Sequence, residues 1–460
     1  MIRRPSPSRS SPVAAAALQA LHERERRRYL DLHPRSAALA AASAPHFLYG
    51  VPLHWMRDWG LPHPLFVRSA EGNRLRCVDG HEVVDFCLGD TGAMFGHSPP
   101  PVARAIAQQA AQGLTAMLPG EALAEVGAAL ARVFGLPRWQ ITLSASDANR
   151  FVLRWARAIT GRRRVLVFDG CYHGTVDDTL VDRADDGRTL TRASLLGQVH
   201  DLALGTVVVP FNDAGAVDAA LAAGDVACVL TEPALTNCGL VPPAPGFMEA
   251  VQAACRRHGA LFVLDETHTV SSGLGGHARV HELEPDVLVV GKAVAGGLPC
   301  AVYGFTDAVA ERMAAAKDAA PEGHSGIGTT LSANLLALAA LRATLDDVMT
   351  ADAYARMLAT AAKLEARLRE VIARRGLPWT VTRLGARMEL QFCTGTPRDA
   401  GEARAAMDDA LERALHLYLL NRAVVITPFH NMLLVPPMAT ATDTDAVAAA
   451  LDAFVGEALA

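Results

Sequence analysis

Two short runs carry the residues best placed for chemistry. LFVLD (261–265) ends in Asp265, and DVLVVGK (286–292) ends in Lys292. Runs this short, rich in Val and Leu, read as strands buried on both faces. Ligands bind beyond the carboxyl ends of strands in an open α/β sheet, so the acid and the amine are expected to face one crevice. A lysine withdrawn from water loses solvation of its charged form and becomes a plausible Schiff-base former. An acid nearby suits the ring nitrogen of pyridoxal phosphate, a cofactor held by a lysine and paired with an acid. On these two residues alone the plain alternative stands, that both are charges ending strands at the surface.

Further motifs lie along the same stretch of chain. ITLSASDAN (141–149) reads as strand, small-residue turn and helix, and the first amides of that helix suit a phosphate. Ala145 and Ser146 allow close approach there, although Ser and Asp at a helix start are also ordinary caps. FDGCYHGT (168–175) offers Tyr172, an aromatic able to stack on a flat ring or simply to pack. Glu232, in TEP (231–233), is an acid following the strand VACVL, placed to contact substrate or cofactor or to cap a loop. GTT (328–330) adds hydroxyls and amides for a phosphate.

The elements that must position these residues follow from the pattern. From residue 121 to about 345, apolar runs alternate with helical stretches such as GFMEAVQAACRRHG, which predicts a mostly parallel sheet covered by helices. Residues 180–204 read as a long loop. LRCVDGHEVVDF (75–86) reads as a hairpin with Asp79-Gly80 at its turn. Residues 1–12 are a basic, Ser/Pro-rich head expected to be disordered, and 13–88 an N-terminal helix followed by an aromatic, Pro-rich segment. The large unit is expected over 89–345, and a smaller α+β unit over 346–460. ARAAMDDALERALHLYLLNR within it reads as one helix.

With 460 residues, more than one core is expected. The formal net charge of -5 makes no electrostatic case for nucleic acid, and no apolar run approaches the length of a membrane span. The 8 cysteines are scattered without a CxxC pair, which points to free buried thiols, a reducing cytoplasmic setting and no zinc site.

Taken in order, SASDAN, YHG, TEP, NCGLVPP, LDETHT, GKAVAGGLP and TTLSAN resemble the class III aminotransferases, in particular their glutamate-1-semialdehyde aminomutase-like branch. The resemblance runs from about residue 45 to the C-terminus. It implies the fold-type-I scaffold and pyridoxal 5'-phosphate as cofactor. Residue by residue, it implies that Lys292 forms the Schiff base and moves protons, while Asp265 keeps the ring nitrogen protonated. Tyr172 then stacks on the ring, and Thr267 and Glu232 contact the cofactor site. Ala145 and Ser146 stand at the phosphate, and Thr330 reaches it from a neighbouring subunit, which implies a homodimer.

The chain also departs from the family. Asp265-Glu266-Thr267 stands where Asp-Glu-Val is usual, and His268 follows, read as a satisfied loop histidine rather than a substrate ligand. Aligning PLFV (64–67) puts Trp55 where the aminomutase has a carboxylate-binding arginine. Arg57 and Arg387 are the candidates to replace it, since a guanidinium holds a carboxylate bidentately, and His430, in TPFHNM (427–432), stands near a segment that helps line the pocket in relatives. The expected activity is therefore an aminotransferase acting on an amine or amino acid and a carbonyl acceptor. The alternatives are an aminomutase or racemase, or a cofactor-binding protein without turnover.

Overall fold

The computed structural model describes residues 15–459; the basic head expected over 1–12 lies outside the described residues. Seven strands form the central sheet. In chain order they are β1 (Arg138–Thr142), β2 (Arg164–Phe168), β3 (Thr206–Val209), β4 (Val226–Thr231), β5 (Leu261–Asp265), β6 (Val287–Val290) and β7 (Ala301–Phe305). Their spatial order is β1-β7-β6-β5-β4-β2-β3. β5 pairs in parallel with β4 and β6, and β2 with β3 and β4. β7 runs antiparallel to both its neighbours, so the sheet is mostly parallel, as the alternating pattern predicts. Every residue of β4, β5, β6 and β7 is buried, which is why these runs carry Val and Leu without polar alternation.

This topology points the carboxyl ends of six strands toward one edge. The turns that follow Thr142, Phe168, Thr231, Asp265 and Val290 therefore converge there. Helix Ala145–Thr160 starts at that edge, capped by Ser144, whose hydroxyl accepts from the Asp147 amide at 3.2 Å. Its buried side chains pack on the sheet in one large hydrophobic cluster.

A second cluster lies around helices Ala351–Arg374, Asp409–Leu420 and Ala441–Ala458, with the N-terminal helix Ala15–Leu32 packed into it. The two ends of the chain also share a sheet. The hairpin Arg74–Cys77/Glu82–Asp85 forms as predicted, and Val424–Val425 pairs in parallel beside its second strand. Two expectations are corrected. The loop over 180–204 contains a small hairpin, Val181–Arg183 with Thr189–Thr191. The helix read through 403–422 breaks into Ala400–Ala405 and Asp409–Leu420, because Asp408 turns its carboxylate back to cap the amides of Ala410 and Leu411.

Candidate active site

Lys292 begins the turn after β6 with φ 51°, in the left-handed region that costs a side-chain-bearing residue roughly 1–2 kcal/mol. The loop after the hairpin holds three more such residues, Leu88, Asp90 and Thr91. Strain of this kind collects where surrounding structure over-determines a site. Here the two strained segments meet: Lys292 Nζ donates to Asp90 Oδ2 at 2.7 Å. The side chains of Asp90 and Lys292 are 38% and 29% exposed, so the crevice is open at this pair. Its floor is closed by His268 and Arg387, at 6% and 1%.

Asp265 lies deeper. Its Oδ2 accepts from Asn149 Nδ2 at 2.8 Å and lies 2.9 Å from His173 Nδ1, and its Oδ1 accepts from the Thr267 amide at 3.1 Å. Burial would raise this carboxyl, but the His173 hydrogen bond and charge, with Thr267 and Asn149, outweigh it and hold Asp265 at about 2. Asp265 is thus a permanent buried anion. Glu266 next to it faces the other way, as successive residues at a strand end do. It accepts from Thr269 Oγ1 and from the amides of His277 and Ala278, and so anchors the helix Gly276–Val280.

His268 is satisfied at both ring nitrogens, as read, but its partners belong to the cluster around Lys292. Its Nε2 meets Lys292 Nζ, and its Nδ1 meets Thr236 Oγ1, which in turn donates to Glu232 Oε2. Burial and the Lys292 charge hold His268 well below the ordinary histidine value, so the ring is neutral. Burial pushes Glu232 up to about 7. Asp90 goes the other way: burial opposes its charge, but the Lys292 and Arg387 charges and the Lys292 hydrogen bond hold it well below the usual carboxylate range.

The remaining candidates divide. Tyr172 is half-buried with its amide 3.4 Å from Glu232 Oε1, and its phenol is raised first by burial and then by Asp90. Arg387 donates to Thr91 Oγ1 and has Nη1 3.8 Å from Asp90 Oδ1, so it joins the cluster. His430 sits behind it, Nδ1 3.2 Å from Glu389 Oε1. Trp55 is stacked on Trp59 and edge-on to Phe429, forming an aromatic wall. Arg57 is not drawn in: it faces solvent, paired with Asp58 and lying over the Tyr49 ring. Thr330 is exposed, and among the described residues no hydrogen bond ties it to the cluster.

Asn149, His173 and Thr236 were not singled out in sequence, although Asn149 and His173 stand inside the quoted motifs SASDAN and YHG. In sequence His268 reads only as a satisfied loop histidine, and Asp90 only as acidic character near the aromatic segment. Only the loop geometry brings Asp90 to Lys292, 202 residues away.

The residues present fit pyridoxal phosphate. Helical geometry leaves the first amides of Ala145–Thr160 without intrahelical partners. Gly174 approaches Ser146 so closely that a Cβ there would clash with its hydroxyl, which accepts from the Thr175 amide at 3.1 Å. Thr267 Oγ1 is buried without a partner, an orphan polar atom beside Asp265. A phosphate cup, an anion for a ring nitrogen, a free hydroxyl and a lysine amine thus line one edge of the sheet.

A parallel sheet with this site at its carboxyl edge defines a fold-type-I, pyridoxal-phosphate-dependent enzyme. The family model "Aminotransferase class-III" matches residues 56–456, and the chain belongs to that family. It is 35% identical over 405 residues to glutamate-1-semialdehyde 2,1-aminomutase of Sorangium cellulosum (strain So ce56), covering 86% of this chain and 90% of that one. In structure it is similar to a glutamate-1-semialdehyde-aminomutase from Pseudomonas aeruginosa PAO1, with TM-score 0.95, 49% identity and coverage of 97% and 100%. A variant of that enzyme solved in complex with PMP matches with the same TM-score, over 97% and 99%. A β-phenylalanine aminotransferase from Variovorax paradoxus matches with TM-score 0.84 and 27% identity, over 95% and 97%. The cofactor of this chain is accordingly pyridoxal phosphate.

Proposed function

We propose that this protein is an aminomutase, moving an amino group between two carbons of one small carboxylated substrate. This revises the expectation of an aminotransferase, because the relatives named above are predominantly glutamate-1-semialdehyde aminomutases. The observation that carries the reading is the Lys292 amine, seated over an open crevice between Asp90 and His268. From there it can take a proton from one carbon of a bound substrate and return it at another. The cofactor, when bound, supplies an electrophilic carbon and a ring that accepts the electrons the proton leaves behind. Asp265 keeps the ring nitrogen charged, Ala145 and Ser146 hold the phosphate, and Tyr172, Thr267 and Glu232 border the ring. Arg387 and His430 bound the substrate side.

A second copy of the chain completes the site by supplying Thr330. Supporting this, Leu114, Met117, Leu118 and Leu331 are exposed close to it, and the Leu335 amide donates to Leu114 O at 3.0 Å, joining the two stretches. Apolar surface gathered in this way marks an interaction face. A cytoplasmic location is part of the same reading, supported by seven buried cysteines that lie outside any disulfide.

A second reading, aminotransferase, is favoured by one observation. Trp55, Trp59 and Phe429 make an apolar wall where the aminomutase alignment expects an arginine. One experiment separates the two. The purified protein, loaded with pyridoxal phosphate, is given glutamate 1-semialdehyde without any added amino donor or acceptor. Isomerisation supports the aminomutase. Turnover seen only with a separate amine donor and keto acid overturns it in favour of the aminotransferase.

A further inference from the structure

We propose that His268 is a positioning residue for Lys292: it seats the free amine against Asp90 and ties it, through Thr236, to the buried carboxylate of Glu232. The inference rests on Lys292 being the cofactor-bonding lysine and goes beyond it, since nothing in that role requires a histidine three residues after Asp265.

The geometry admits one consistent direction of hydrogen bonding. Lys292 Nζ has only protons to offer, so His268 Nε2 accepts. A neutral ring that accepts at Nε2 carries its proton on Nδ1 and donates it to Thr236 Oγ1. Thr236 then spends its own proton on Glu232 Oε2. His268 and Thr236 each donate once and accept once, and the row ends on a carboxylate. An acceptor polarised in this way binds the ammonium form of Lys292 better than an isolated imidazole would. Asp90 Oδ2 holds the same nitrogen from the other side at 2.7 Å, so the amine has a defined seat when it is not bonded to the cofactor.

The charged groups facing His268 pull both ways, Asp90 and Asp265 toward a charged ring and Lys292 and Arg387 away from it, and burial sides with the cations. Lys292 comes from the turn after β6, Asp90 from the strained loop, Arg387 from the strand Arg387–Gln391, and Asp265 from the end of β5. Glu232 lies 3.8 Å from Nδ1. Lys292 and Arg387 are both cationic and oppose a charge on the ring, so His268 stays an acceptor. The ring is 6% exposed and its carbonyl is occupied by Ser271 Oγ at 2.9 Å, which keeps it from turning out to solvent.

The test measures how fast the full chain, stripped of cofactor, develops the absorbance of the lysine-bonded cofactor after pyridoxal phosphate is added, as a function of pH. Only the uncharged amine reacts. Losing the His268 acceptor destabilises the ammonium form, so His268→Leu moves the midpoint of this profile down by about one pH unit, about tenfold faster bonding at pH values below the wild-type midpoint. His268→Gln, whose amide oxygen can accept in place of Nε2, restores most of the wild-type profile. Thr236→Val cuts the link to Glu232 at nearly constant volume and shifts the midpoint the same way by less, which keeps the proposal testable should His268→Leu not fold. A wild-type midpoint in both His268→Leu and Thr236→Val, or a shift in His268→Gln as large as in His268→Leu, overturns the proposal. If the wild-type chain develops no such absorbance, the cofactor-bonding role of Lys292 fails instead, and the two failures are told apart.

Discussion

The molecule buries charge in two places, and the two are built differently. In the N-terminal/C-terminal unit, Glu25 is 1% exposed and both its oxygens are taken. Asn421 Nδ2 donates to Oε2 at 2.8 Å, Arg422 Nη1 to Oε2 at 3.1 Å, and Arg24 Nη2 to Oε1 at 3.1 Å. Burial opposes the Glu25 charge, but Arg422 and Asn421 outweigh it and lower its pKa. This cluster joins the first helix to the helix Asp409–Leu420 and the turn that follows it. At the sheet edge, by contrast, Asp90 Oδ1, Arg387 Nε and Nη1, and Thr267 Oγ1 are buried without hydrogen-bond partners. The backbone there is strained at Lys292, Asp90 and Thr91. Unsatisfied buried polar atoms are costly, so a fold keeps them where something else will pair with them. In the architectural cluster the buried carboxylate has both oxygens hydrogen-bonded and the unpaired atom is the neutral Asn421 Oδ1, whereas at the sheet edge the charged groups themselves have atoms that lack hydrogen bonds.

Substitutions sharpen this contrast, and the largest effect belongs to the incomplete cluster. Lys292→Ala removes the lysine amine from the sheet edge; turnover is expected to fall by about 10,000-fold, the upper range for a proton-transferring group, with loss of the lysine-bonded cofactor absorbance. Activity surviving this change would mean that another residue does the work. Asp265→Asn keeps the shape but removes the anion beneath the ring. It should cost roughly 100- to 1,000-fold in kcat, as losing a preorganised electrostatic partner does, while the cofactor stays bound.

Glu25→Ala should do the opposite. It lowers unfolding free energy by about 1.5–3 kcal/mol, measured by denaturant titration, and leaves the cofactor spectrum as it was. Because the Glu25 pKa is lowered on folding from 4.5, its stabilisation is fully present above that pH and is lost as pH falls through the folded value. The difference between variant and wild type should therefore shrink in acid.

The smallest effect tests Glu232. Its pKa is raised on folding, to about 7, so ionising it opposes folding. Stability from this group is present below pH 4.5 and is lost as pH rises toward 7 and beyond. Glu232→Gln should thus gain about 1–2 kcal/mol relative to wild type at pH 8 compared with pH 5. An equal difference at both pH values would place the Glu232 carboxyl in an ordinary environment and weaken the distinction between the clusters.

Much of this was legible in the chain itself. The buried strands β4, β5 and β6 announce themselves because a strand covered on both faces leaves no position for a polar residue, and Asp265 and Lys292 stand out against that background. Asp399, Asp408 and Thr440 cap helices locally, yet only Asp408 changed the reading, by splitting what looked like one continuous helix. The small hairpin at 181–191 was missed because three-residue strands carry too little pattern to register.

The sequence by itself determined the class of sheet, the order of the motifs and the two residues proposed as the poles of the cofactor, since each is written in contiguous residues whose burial period or turn chemistry is local. Only the tertiary structure decided what surrounds those poles. Asp90 reaches Lys292 from a strained loop, Arg387 reaches Asp90 from the far unit, and His268 turns inward to Thr236 and Glu232. These contacts join segments tens to hundreds of residues apart. The side chains involved have the same identity in a loop exposed to water as in a closed crevice, and the fold alone determines which of the two they occupy.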